Sequence, residues 1–228
     1  MDYSVGIDWL IIIASFAITL GSQWYIKHCY KKTIEITAKR GYTGLEVARK
    51  ILDKNGLTNV TIGEVADELA DHYDPTRKSV TLSTDIYRKD TIASVSVAAH
   101  ECGHAIQDKT GYKFLRMRQK LVPTINFISS AGYIILMIGL IAGITSLFWL
   151  GILLEVCILF FQLITLPVEF DASRRGLDNL QKLDLIEVSE VKEVKKMLRA
   201  AALTYVASAA SSILQILRLV LLNRRNDW

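Results

Sequence analysis

Cysteine is scarce and unpatterned. Only Cys29, Cys102 and Cys157 occur, odd in number and in no CxxC pair. That excludes a disulfide framework and a thiolate zinc ribbon, and suits reduced thiols in or near a cytosol-facing membrane protein. Histidine is nearly as sparse, with four in 228 residues and none after His104. No internal repeat or low-complexity tract is present. The net charge of +4 comes without a stripe of interleaved basic and aromatic residues, so no nucleic-acid partner is expected. The apolar runs also lack a file of polar ligands, which argues against an ion carrier.

What the chain has in excess is hydrophobic sequence. Hydrophobic residues make up 51% of it and its mean hydropathy is positive, more than an ordinary soluble domain carries. Residues 7–26, 124–145 and 146–168 each have the length of a membrane span. Glu155 is the carboxylate inside the latter two, in a structural or a functional role. The first run has an acidic start, Asp2 just before it and Asp8 at its beginning, and no basic leader region or small-residue cleavage site. It reads as a retained anchor rather than a signal peptide. Lys27, Lys31, Lys32, Lys39 and Arg40 follow the first run, Lys113, Arg116, Arg118 and Lys120 precede the second, and Arg174 and Arg175 follow the third. By the positive-inside tendency all three clusters face the cytosol.

Two of the four histidines fall in His100-Glu101-Cys102-Gly103-His104, an HExxH set. The surrounding pattern predicts a helix from about Thr91 to Thr110, capped by Thr91 or Asp90 and stopped by Gly111. Ile92, Val95, Val97, Ala98, Ala99, Ala105 and Ile106 place small or branched side chains around it, so it should be buried. Histidines four apart share one helix face and can converge on one metal ion. A neighbouring carboxylate, Glu101, is then placed to act as general base on a zinc-activated water. Cys102 points away from the pair and reads as a packing residue. A catalytic zinc needs three protein ligands and one open position. With no histidine downstream, Glu169 in Pro167-Val168-Glu169-Phe170 is the best carboxylate for the vacancy; otherwise it simply marks the end of a span.

Residues 27–120 read as the soluble half. Thr43-Gly44-Leu45-Glu46 has capping-box form, Val47, Ala48, Ile51 and Leu52 recur at helical spacing, and Gly56 closes that helix. Residues 59–62 alternate like a strand, and Asp74-Pro75-Thr76-Arg77 separates the Asp71-His72-Tyr73 stretch from residues 79–83, giving a small antiparallel sheet. His72, beside a turn, stays outside the ligand set. Further on, residues 185–196 carry acids early and lysines late, as a solvated helix would. Residues 200–222 then form a long apolar helix, a fourth span or a helix packed along the others.

HECGHAIQ, the two-span hairpin and LPVEFDASRR resemble the YugP-like membrane zinc metallopeptidases, also called neutral zinc metallopeptidase type 2. GYTGLEVARKILDKNGL, the Asp71–Pro75 stretch and AALTYVASA extend the likeness over nearly the whole chain. That family is distantly similar to HtpX-like and prenyl-protein endopeptidases. The resemblance implies zinc, one ion per chain, held by His100, His104 and Glu169, with Glu101 as the base. The broader relatives carry an aspartate where this chain has Ser173, for which Asp171 or Asp178 would have to substitute. They also offer a downstream histidine or arginine to the oxyanion, for which Tyr205 is the candidate here, its alternative being a packing tyrosine at the headgroups.

The expected protein is a mainly α, multi-pass membrane protein with a small cytosolic α+β portion, the HExxH and glutamate helices flanking a transmembrane hairpin. Its expected segments are an anchor at 1–26, a zincin-like cytosolic portion at 27–120, the hairpin at 121–168, and the glutamate helix with the apolar helix at 169–228. The expected activity is zinc-dependent endopeptidase action on a peptide or protein, membrane proteins included, at the cytosolic face of the cell membrane. The alternative is a non-catalytic zinc-holding scaffold or assembly factor.

Overall fold

The computed structural model describes residues 3–225; Asp2 and the far end of the last expected segment lie outside the described residues. The chain is mainly helical and divides into two compact units. One comprises Trp24–Arg116 and Pro167–Leu203, the other Met1–Gln23, Met117–Leu166 and Thr204–Trp228. Helices α1 (Tyr3–Ile34), α5 (Lys113–Ala142), α6 (Thr145–Lys182) and α7 (Val191–Arg225) each give residues to both.

In the first unit, α2 (Gly44–Lys54) starts as its sequence dictates. Glu46 N–H donates to Thr43 Oγ1 at 3.3 Å, and Thr43 N–H donates to Glu46 Oε2 at 2.8 Å. Val47, Ala48, Ile51 and Leu52 are fully buried, and removal of each large side chain from water is worth roughly 1.5–3 kcal/mol. Three strands follow: β1 (Thr61–Val65), β2 (His72–Asp74) and β3 (Ser79–Ser83), in the order β1-β3-β2. The sheet is mixed rather than antiparallel as expected. β2 and β3 form the antiparallel hairpin, whose turn is held by Thr76 and Arg77 N–H donating to Asp74 Oδ1, whereas β1 pairs parallel with the other edge of β3. Alternation identifies strands but says nothing of which edge a strand joins. β1 also starts two residues later than the expected 59. The short helix α3 (Thr84–Arg88) leads into α4 (Ile92–Lys109).

Helix α4 begins where Ser94 N–H donates to Thr91 Oγ1 at 3.2 Å and ends before Gly111, at φ +65°. Val95, Ala98, Ala99, Cys102 and Ala105 are fully buried, so the helix is wrapped on nearly all sides. Its contact with α6 is backbone-close: a Cβ added to Gly103 would lie 2.3 Å from the Ala172 carbonyl oxygen, and one added to Gly176 would lie 2.6 Å from that of Ala99. The expected solvated helix over 185–196 is replaced by something else. Leu185 and Ile186 are buried outside any helix, a 3-10 turn spans Val188–Glu190, and α7 starts at Val191 and continues unbroken through the apolar stretch. The acids are used locally, since the Glu190 carboxylate accepts from Glu187 N–H and from Lys39 N–H, both at 2.8 Å.

In the second unit a small cluster of Leu136, Phe148, Ile152 and Leu219 is buried. The turn between α5 and α6 closes at Gly143, φ +66°, which ends α5 three residues before the expected limit of 145. Ser211 reaches Thr19 Oγ1 at 3.0 Å, and Arg218 lies 3.3 Å from Asp8. Large apolar side chains face outward, among them Ile141 at 79% and Phe127 at 74% exposure, which water would penalise heavily. Among the described residues, four helices are long and apolar enough to cross a membrane.

Candidate metal centre

The two histidines of α4 and Glu169 of α6 meet inside the first unit. One ligand atom from each of His100, His104 and Glu169 lies within 4.8 Å of the others. Glu169 Oε2 is 3.2 Å from His100 Nε2 and 3.6 Å from His104 Nε2, so both rings turn the same nitrogen toward one oxygen. The rings themselves stand nearly perpendicular, with centroids 4.8 Å apart. Glu169 is 3% exposed and His104 8%, so the charge set is held away from bulk water. Glu169 sits within an uninterrupted helix rather than at the end of one. The Gly103 and Gly176 contacts explain why it can reach: without a Cβ at either place, α4 and α6 approach until side chains of ordinary length converge.

Neighbouring groups hold the rings. Gln107 Nε2 donates to the Val168 carbonyl at 2.8 Å and to Asp171 Oδ2 at 3.0 Å, which leaves its Oε1 to face His104 Nδ1 at 3.1 Å. An amide oxygen can only accept, so the network assigns the His104 proton to Nδ1 and leaves the Nε2 lone pair free for a metal. Asp171 is in turn clamped by Arg174 and Arg175. His100 Nδ1 lies 3.1 Å from Ser173 Oγ. The position where an aspartate was missed is thus occupied by a serine that touches the ring itself, Asp171 acts through Gln107, and Asp178 pairs with Arg174 instead. Gln107 escaped the sequence reading, although its spacing of three from His104 on the same helix face was a usable signal.

Glu101 is buried on α4. Burial pushes its carboxyl up to about 7, with Glu169 and Asp71 adding to the rise and His100 and His72 opposing it. A carboxyl that gains and releases a proton near neutrality is the property a base needs. Cys102 is buried with its thiol toward the Ala48 carbonyl at 3.6 Å, away from the cluster. His72, exposed on β2, hydrogen-bonds through Nδ1 with the Ala70 carbonyl. Tyr205 lies half-buried on α7, in the other unit.

Residues 8–224 match the family described as "Putative neutral zinc metallopeptidase". The chain belongs to the neutral zinc metallopeptidase family. It is 43% identical over 166 residues, 73% of this chain and 74% of the relative, to "Putative membrane protease YugP" of Bacillus subtilis (strain 168). No solved structure matches. In this member of the neutral zinc metallopeptidase family, the described residues that could hold a metal ion are the three above, and the family's name gives the metal as zinc.

Proposed function

We propose that this chain is a membrane-embedded, zinc-dependent endopeptidase in which His100, His104 and Glu169 hold one zinc ion and Glu101 is the general base. The convergence of two imidazole nitrogens and a carboxylate oxygen within 4.8 Å carries the reading. The donor set fits: two neutral imidazoles and one carboxylate suit a catalytic zinc and leave a coordination position open. Bound there, zinc would supply the Lewis acidity that acidifies water and polarises a peptide carbonyl.

The chain's own residues do the rest. Glu101, adjacent to His100 and buried, takes the proton of the attacking water and returns it to the leaving amine. Gln107 and Ser173 keep the rings oriented. β2 is an edge strand tied to α4 by Tyr73 Oη donating to Asp108 Oδ2 at 2.8 Å, and its open side offers backbone pairing to an extended substrate. Tyr205 is the proposed oxyanion donor. The substrate is a peptide or protein, membrane proteins included. The basic residues flanking the apolar helices support a site at the cytosolic face of the cell membrane.

Purified full-length chain in detergent tests this. Glu101→Gln should keep stoichiometric zinc while hydrolysis falls by at least about 100-fold. Glu169→Ala should lose the zinc. Wild-type cleavage by Glu101→Gln, or full zinc content in Glu169→Ala, would sink the proposal. A scaffold that only holds zinc would keep its cellular activity when Glu101→Gln is introduced.

A further inference from the structure

Beside the metal cluster, around α6 from Glu169, the first unit carries a groove of about 190 Å³ between α6 and the start of α7. Its floor is apolar: Phe170, Leu177, Leu198 and Ala202. Lys195 and Arg199, one turn apart on α7, line its rim, and both are exposed. Among the described residues neither has an acidic partner, whereas Arg174 on the opposite rim is engaged by Asp171 and Asp178. Two unpaired cations over an apolar floor match an anionic amphiphile, not a free anion, which has no use for the floor, and not a neutral lipid, which has no use for the cations.

The helix faces bearing the groove say which amphiphile. Seven residues back along α6 from Phe170, on the same face, stands exposed Leu163, and Phe160 one turn before it. Along α7, Val206 and Ile213 follow Arg199 at successive sevens and are exposed too. The α7 face therefore runs from large apolar side chains to the cation of Arg199, and the α6 face stays apolar up to Phe170 and meets Arg174 one turn further on, as helices do where they leave hydrocarbon for headgroups. We propose that this groove binds the headgroup of an anionic phospholipid, its phosphate between Lys195 and Arg199 and its glycerol and upper acyl carbons on Phe170, Leu177 and Leu198. The inference rests on the reading that α6 and α7 cross a bilayer.

Native mass spectrometry of the full-length chain in detergent, with dioleoyl phosphatidylglycerol or dioleoyl phosphatidylcholine at equal concentration, tests it. Phosphatidylglycerol should be retained about 30-fold better, since each basic side chain near an anionic surface contributes on the order of fivefold. K195Q/R199Q should bring the two lipids close to parity. K192Q/K196Q, which changes lysines of the same helix that do not line the groove, should leave the preference intact, and millimolar inorganic phosphate should not displace the lipid. Equal retention of the two lipids by the wild type overturns the proposal. So does an equal loss in K192Q/K196Q, which would mean diffuse charge, or displacement by phosphate, which would mean an anion site without an acyl part. If K195Q/R199Q keeps phosphatidylglycerol but loses cleavage of acidic peptides, the groove is a substrate subsite and the proposal is again overturned. A chain that stays soluble without detergent would instead remove the bilayer reading itself.

Discussion

Gln107 decides which nitrogen of His104 carries the proton. Its amide hydrogens are committed to the Val168 carbonyl and to Asp171, so only its oxygen is left for the ring, 3.1 Å from Nδ1. The amide also bridges α4 to α6, one turn beyond His104 on the first helix and within two residues of Glu169 on the second. Tautomer and helix spacing are therefore set by the same residue.

Gln107→Leu keeps the approximate volume and removes both the acceptor and the donors. Zinc affinity, measured by competition with a chromophoric chelator, should fall about 10- to 100-fold, the usual effect of losing a partner behind a ligand histidine. Unchanged affinity would show that His104 is held by packing alone.

Gly103→Ala is the smallest change that should dismantle the cluster without touching a ligand. The new methyl would sit 2.3 Å from the Ala172 carbonyl oxygen, a backbone atom that cannot swing aside. Helices α4 and α6 must then separate, at about 1–3 kcal/mol as in other overpacked interiors. A lower melting temperature together with weakened zinc retention is expected. Substitution of Gly63, around which nothing lies within 4 Å of an added Cβ, is the control and should leave zinc unaffected.

What the sequence made legible follows the range of the interactions. The start of α2 at Thr43, the start of α4 at Thr91 and the stop at Gly111 are decided within four residues, and local patterns located them. Four apolar helices were similarly visible by length. The side of β3 that β1 joins depends on how residues 66–71 cross, and no periodicity records it. The extension of α7 back to Val191 was hidden because Glu187 and Glu190 look like a solvated first turn but are used as caps. At the cluster, residue types and spacing singled out His100, Glu101 and His104, and Glu169 was picked out by its place at the end of a span with no histidine downstream, but Gln107 bonding Asp171 and Val168 joins positions more than 60 apart in the chain. Only the packing of α4 on α6 makes that glutamine more than a buried polar residue.

Cys102 lies inside the HExxH set yet should be chemically silent. It is fully buried, and burial raises its thiol far above the ordinary range, with the Glu101 carboxylate adding to the effect, so the reactive thiolate is essentially absent. Alkylation of the folded chain with iodoacetamide at pH 8, read by peptide mass spectrometry, should leave Cys102 unmodified, and denaturation should release it. Modification in the folded state at the rate of a free thiol would contradict the packing around α4.

Asp71 gives the fold a pH dependence whose sign can be worked out. Burial raises its pKa despite opposing hydrogen bonds, with Ser83 N–H donating to Oδ1 at 2.7 Å and Ser83 Oγ nearby. The folded state therefore holds this proton more tightly than the unfolded chain. The corresponding stability is fully present below the ordinary carboxylate range, about 4, and is lost as pH rises through the shifted value. At neutral pH the ionised side chain weighs against folding. Asp71→Asn keeps an acceptor for the Ser83 N–H and removes the charge, so it should melt above the wild type at pH 7. The gap should narrow as pH falls through the shifted value and the Asp71 carboxyl takes up its proton. Thermal melts of the two full-length proteins in one detergent across pH 4–8 measure it. A gap that does not vary with pH, or an Asp71→Asn variant less stable throughout, would mean that the Ser83 hydrogen bonds outweigh the burial of the charge.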